Sequence, residues 1–294
     1  MAIDLIGLQP SAYEHPMDRQ TLSVVKQIPL LPQITNWIMD YTAVRWEIIQ
    51  LQGRDYHLTH DACEELYDNV CAASHRLDIP MPPVYITQAY GINAYTMGHK
   101  EKAYVVLFSG AVDRLNKDEL TFIVGHEMGH IKSGHVLYQN MVNYMTALVK
   151  RFPLINEASK IALFKWMRMA EFTADRAGLL ACQDINTALS AMMKMSGLPM
   201  SYYNKASVQG FINQIHTFKR TQWDAINKGI ASFENLLQDH PWTILRATEL
   251  LDWYESGEYQ KVIDGVHANT KMCPVHNGLV PIDTKTCPIC GHQF

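Results

Sequence analysis

The chain has 294 residues, 48% of them hydrophobic, and a net charge of −4. That length holds one sizeable domain with small attachments, and the composition is ordinary for a globular protein. A mild acidic balance without a long basic run excludes a nucleic-acid partner held by charge.

Residues 1–58 read as an N-terminal helical extension, with apolar helical periodicity over 22–28 and 34–51. The opening Met1-Ala2-Ile3-Asp4-Leu5 has no charged stretch leading into an apolar core, so no secretory signal is expected. The most apolar stretches, 28–49 and 136–154, are broken by Pro29, Pro32, Asp40 and Arg45, and by Gln139, Lys150, Arg151 and Pro153. Neither offers the roughly 20 clean apolar residues a membrane span needs. The chain therefore reads as soluble, and its six cysteines, three in a metal-spaced cluster, suit the reducing cytoplasm. A peripheral membrane contact through residues 30–37 or Trp166 stays open.

Residues 59–77 are predicted as a helix stopped by Pro80, Pro82 and Pro83. Cys63 and Cys71 share one face of it with Tyr67 and read as buried packing residues, as does Cys182. Three short strands follow at 84–87, 93–97 and 103–108, with turns at Gly91 and Gly98-His99-Lys100. Asn93-Ala94-Tyr95 is a candidate substrate edge. Small Ala94 would admit a peptide backbone and Asn93 could hold its carbonyl, the alternative being an internal strand end.

Asn116-Lys117-Asp118-Glu119 reads as a capping box and Gly134 as a stop, so the segment between them is predicted as a helix. It carries His126-Glu127-Met128-Gly129-His130. Histidines four apart share one helical face and can grip one metal ion, while Glu127 projects from the flank as a general base for a metal-activated water. A longer pattern, with glycine at 133 and a third histidine at 136, is excluded by Ser133 and Val136. His135 is one residue off that position and reads as solvent-facing.

Nearly everything from 136 to 263 reads as helical, with breaks at Pro153 and Pro199. In Ala170-Glu171-Phe172-Thr173-Ala174-Asp175, Glu171 and Asp175 again share a helical face. Glu171 would complete a His, His, Glu ligand set, and Asp175 could accept the free ring N–H of a ligating histidine. His240 precedes Pro241 at a helix start, with Arg246 on the following turns. His240 could donate to the oxyanion of a hydrolytic transition state or simply start the helix, and Arg246 could brace Asp175 or Glu171.

Cys273-Pro274-Val275-His276 and Cys287-Pro288-Ile289-Cys290-Gly291 are two knuckles with the spacing of a closed Cys₃His structural zinc site, with His292 as a substitute ligand. Such a ribbon has no vacancy for chemistry and would dock a protein partner.

The His126–His130 motif continued to His135, then Glu171 to Asp175, then His240-Pro241 with Arg246, resemble the M48 peptidases, the family of HtpX and the CAAX prenyl endopeptidases. Asn93-Ala94-Tyr95 resembles the segment ahead of that family's motif helix. The resemblance spans roughly residues 65–255 and implies a zinc endopeptidase acting on peptide or protein substrates. It implies His126, His130 and Glu171 as ligands, Glu127 as base and His240 in the transition state.

The expected architecture is α+β and mainly helical: an extension (1–58), a Glu-zincin metallopeptidase domain with a small three-stranded sheet (59–265) and a zinc ribbon (270–294). Two zinc ions are expected, one catalytic and one structural. The rival reading is a latent or non-catalytic scaffold that recruits partners through the ribbon.

Overall fold

The structure, a computed structural model, describes residues 2–27, 43–99, 102–136, 157–227, 242–275 and 278–294. The helices are α1 (Pro16–Lys26), α2 (Ala43–Arg54), α3 (Glu64–Arg76), α4 (Ser109–Arg114), α5 (Lys117–Lys132), α6 (Glu157–Cys182), α7 (Ile185–Met195), α8 (Val208–Asn227), α9 (Thr243–Glu255) and α10 (Glu258–Ala268). The strands are β1 (Tyr56–His57), β2 (Val84–Thr87), β3 (Ala94–His99), β4 (Lys102–Phe108), β5 (Thr270–Met272) and β6 (Leu279–Pro281).

Among the described residues the first sheet has four strands, not the expected three, in the order β1-β2-β4-β3. β1 has two residues, too few to show an alternating pattern in sequence. β2 and β4 run parallel, and β3 pairs antiparallel with β4 as an edge strand. Val84, Val105 and Leu107 face the main core, whereas Tyr85, Met97, Tyr104 and Val106 face Leu51 of α2.

Helix α5 is buried over most of its length by the helices packed on it, and its ends are well satisfied. Asn116 Oδ1 accepts from Glu119 N at 2.9 Å, and Glu119 Oε2 accepts from Asn116 N at 2.9 Å. Glu119 Oε1 also accepts from Ser190 Oγ, tying the cap to α7. At the other end Gly134 takes φ +71°, and the amides of Gly134 and His135 bond the carbonyls of Ile131 and His130. That is a Schellman turn.

Small residues bring α5 and α6 together. A Cβ on Gly125 would lie 2.3 Å from Ala181 Cβ, and one on Gly129 would lie 2.5 Å from Ala177 Cβ. The two glycines thus set a separation no larger residue permits.

The N-terminal stretch is part of the core. Leu5, Leu8 and Tyr13 join the main apolar cluster, and the Tyr13 hydroxyl lies 3.0 Å from Ser133 Oγ at the end of α5. Ile3 exchanges two hydrogen bonds with the Gln183 side chain, and Arg176 donates to the carbonyls of Tyr13 and Glu14.

Several expectations need correction. Helix α3 begins at Glu64, because 59–63 form turns, and this leaves Cys63 exposed and Cys71 half-buried; Cys182 is buried. Strand β3 runs on through Gly98 and His99. Trp166 is fully buried and donates to Asp18, so it cannot touch a membrane. Residues 30–37 lie outside the described residues. No helix among the described residues is long and apolar enough to cross a membrane.

Candidate metal centre and active site

Helix α5 presents His126 and His130 to α6, which presents Glu171 and Asp175 back. The two imidazole Nε2 atoms lie 3.2 Å apart. Glu171 Oε1 is 3.3 Å from His130 Nε2, and Glu171 Oε2 is 3.6 Å from His126 Nε2. All three residues are buried. Ligand atoms on a tetrahedral zinc stand about 3.3–3.5 Å apart, so this donor set has the size and the chemistry of a zinc triad.

Among the described residues, Glu127, Glu171 and Asp175 are buried beside the buried guanidinium of Arg246, an acidic setting that suits a divalent cation.

Asp175 and Arg246 orient this set. Asp175 Oδ1 accepts from His126 Nδ1 at 3.0 Å, which turns Nε2 toward Glu171. Arg246, from α9, grips Asp175 with two donors, Nε to Oδ2 at 2.9 Å and Nη2 to Oδ1 at 2.6 Å, and its Nη1 stands 3.3 Å from Glu171 Oε2. Burial opposes ionisation of Asp175, yet Arg246 and His126 outweigh it and hold its carboxyl below the ordinary carboxylate range. Burial also opposes the charge on Arg246, and Asp175, Glu171 and Glu127 hold it firmly protonated.

Glu127 is fixed from the sheet. Thr96 Oγ1 on β3 donates to Glu127 Oε2 at 2.6 Å. A cleft of about 140 Å³ opens beside it, lined by Asn93, Ala94, His126, Glu127, Glu171 and Arg246 among others. Tyr95 is half-exposed and stands edge-on to Phe108, on the opposite face of β3 from Ala94 and Thr96. His240 lies outside the described residues.

His135 is buried, contrary to the expectation of a solvent-facing residue. Its Nδ1 lies 3.0 Å from His130 Nδ1 and its Nε2 lies 3.0 Å from Asp18 Oδ2. The cause is the Schellman turn, which folds the residue after Gly134 back over the helix end. Thr96, His135 and Asp18 were missed by sequence reasoning. The first could have been found from the two-residue alternation with Ala94, the second from the predicted Gly134 stop. Asp18 had no local signal.

Near the C-terminus β5 and β6 form a hairpin, and the sulfur atoms of Cys273, Cys287 and Cys290 lie within 4.8 Å of one another. The amide of Gly291 bonds the Cys287 carbonyl across the second knuckle. His276 lies outside the described residues.

Residues 62–254 match the model of peptidase family M48. The chain belongs to peptidase family M48. It is 26% identical over 261 residues to the plastoglobule-localized metallopeptidase 48, chloroplastic, of Arabidopsis thaliana, covering 87% of this chain and 76% of that protein. It is 40% identical over 83 residues to protease HtpX of Acinetobacter baumannii (strain AYE), which spans 26% of this chain and 28% of that protein. A protease HtpX homolog of Gemmatimonas aurantiaca is 24% identical over 234 residues, 69% of this chain and 80% of its own length. This M48 protein is therefore a metallopeptidase, mainly helical with a small sheet, and its substrates are peptides or proteins.

Proposed function

We propose that this M48 protein is a zinc-dependent endopeptidase. The observation that carries the reading is the triangle of His126 Nε2, His130 Nε2 and Glu171, sized for zinc, with Glu127 beside it in a cleft bounded by the edge strand β3. Zinc held by these three would act as a Lewis acid, raising the acidity of a water and polarising the scissile carbonyl.

The chain's own groups supply the rest. Among the described residues β3 is the edge strand, and a substrate in extended form can add beside it as a further strand, with Asn93 and Ala94 along the cleft. Tyr95 pairs with Val106 of β4 through its backbone and its side chain turns from the cleft, so we assign it the role of holding Ala94 at that edge. Glu127 accepts the proton of the attacking water and returns it to the departing amine, and Thr96 holds that carboxylate in place. Asp175 keeps the proton of His126 on Nδ1, and Arg246 fixes Asp175. We assign His240 the role of donor to the developing oxyanion, so His240→Ala should lower kcat without releasing zinc.

A second, structural zinc is proposed on Cys273, Cys287 and Cys290, with His276 as fourth ligand. The clustering of three cysteine sulfurs beside a short hairpin supports it. The M48 family match argues against a non-catalytic scaffold, and a closed site of this kind suits a role in docking a protein partner.

A digest of a proteome-derived peptide library with the purified full chain tests the reading. Internal cleavages that vanish with a chelator and return with zinc are expected. Cleavage confined to chain ends, or indifferent to the chelator, would contradict it.

A further inference from the structure

Asp18 lies in α1, outside the residues matched to the family. It is an aspartate 2% exposed in the middle of a protein core, which demands partners. It has three. Trp166 Nε1 donates to Oδ1 at 2.9 Å, Thr173 Oγ1 donates to Oδ2 at 2.6 Å, and His135 Nε2 stands 3.0 Å from Oδ2. Trp166 and Thr173 belong to α6, the helix that carries Glu171.

The proton positions follow from this arrangement. A carboxylate already accepting two bonds makes His135 Nε2 the protonated nitrogen, and His135 Nδ1 is then an acceptor. At 3.0 Å it accepts from His130 Nδ1–H. His130 is thereby fixed as the Nδ1–H tautomer, with the lone pair of Nε2 facing His126 and Glu171. Asp175 does the same for His126 in one step. His130 is served in two steps, through a residue that the Schellman turn at Gly134 delivers to its ring.

We infer that Asp18 and His135 are positioning residues of the metal centre: a carboxylate from the N-terminal helix selects the tautomer of the ligand His130 through the buried ring of His135. The inference rests on the reading of His126, His130 and Glu171 as the zinc ligands. It makes the N-terminal helix a working part of the catalytic centre. Without Asp18, His135 is free to rotate or to protonate at Nδ1, and a donor there would turn the His130 proton toward the metal position. Partners of this kind typically change metal affinity by about 10–100-fold.

The test uses the full chain with His135→Ala, His135→Gln, Asp18→Ala and Glu171→Ala. Zinc affinity is read by competition with a chromophoric chelator, taking the catalytic site as the zinc that Glu171→Ala loses. The imidazole ¹⁵N shifts of His130 are read in metal-free wild type. The expected results are an Nδ1–H tautomer at His130 and a loss of about 10–100-fold in affinity in His135→Ala and Asp18→Ala. His135→Gln, whose amide can accept from His130 and donate to Asp18, should recover most of that loss, a rescue that mere filling of space would not produce. An Nε2–H tautomer at His130, or wild-type affinity in folded His135→Ala, overturns the inference. If a variant fails to fold, the tautomer measurement on wild type still decides. Failure of the underlying reading is distinguishable: Glu171→Ala would then keep all its zinc.

Discussion

Thr96 Oγ1 lies 2.6 Å from Glu127 Oε2, so the residue proposed to move the proton is held by the strand proposed to hold the substrate. Ala94 and Thr96 share one face of β3, and the Ala94 end of that face lines the cleft. Binding at the edge and proton transfer at the centre are thus coupled through one residue pair.

Thr96→Val removes the donor and keeps the shape. A hydrogen bond to a charged group is worth about 1.5–3 kcal/mol, so kcat should fall about 10–100-fold with zinc content unchanged. Thr96→Ser should retain most of the rate. Steady-state kinetics with metal analysis checks this, and an unaltered kcat in Thr96→Val would assign Glu127's position to its other neighbours.

The ligand and its brace should separate by metal content. Glu171→Ala should lose the catalytic zinc outright. Asp175→Asn should weaken it by about 10–100-fold without abolishing it. It should also destabilise the fold, because Arg246 would remain buried with Glu171 as its remaining close carboxylate. Zinc titration and thermal unfolding of the two variants read both effects; tight zinc in Glu171→Ala would mean a different third ligand.

Gly125→Ala tests the helix approach that assembles the triad. Alanine is favoured over glycine in a helix by about 1 kcal/mol, but the added carbon would sit 2.3 Å from Ala181 Cβ. Overpacking of this kind costs about 1–3 kcal/mol and should move His126 relative to Glu171. A lower melting temperature and weaker zinc binding are expected. A raised melting temperature would show that the packing of α5 on α6 has slack.

The sequence made the motif helix legible because its signals are local: the capping box at Asn116, the histidines four apart and the stop at Gly134. Glu171 and Asp175 were legible for the same reason. The four-stranded sheet was not, since β1 is a two-residue strand recognisable only by its pairing with β2. Burial of His135 follows from the turn at Gly134, whose effect on the next side chain depends on what packs over the helix end and not on spacing. Asp18 is different in kind. An aspartate in the N-terminal stretch acquires its role through long-range contacts with Trp166, Thr173 and His135, and no spacing rule reports those. The oxyanion role of His240 and the ligand role of His276 fall on residues outside those described.

Thiol labelling separates the cysteines. Burial pushes the Cys182 thiol up to about 12, so it should stay unlabelled at pH 8, where Cys63 reacts. Cys273, Cys287 and Cys290 should be protected in the zinc-loaded protein and become reactive once a chelator is added. Elemental analysis should show two zinc ions per chain, falling to one in Cys287→Ser with Cys290→Ser. An unchanged zinc count in that double variant would remove the structural site.

The most direct measurement is cleavage by Glu127→Gln alongside its zinc content. The triad of His126, His130 and Glu171 is untouched by this change, and only the proton acceptor is lost. Zinc should remain bound as in the wild type, while turnover of a peptide that the wild type cleaves should fall by about 10²–10⁴-fold. Turnover near the wild-type rate with zinc in place would contradict the assignment of Glu127 as the base and, with it, the mechanism derived for this site.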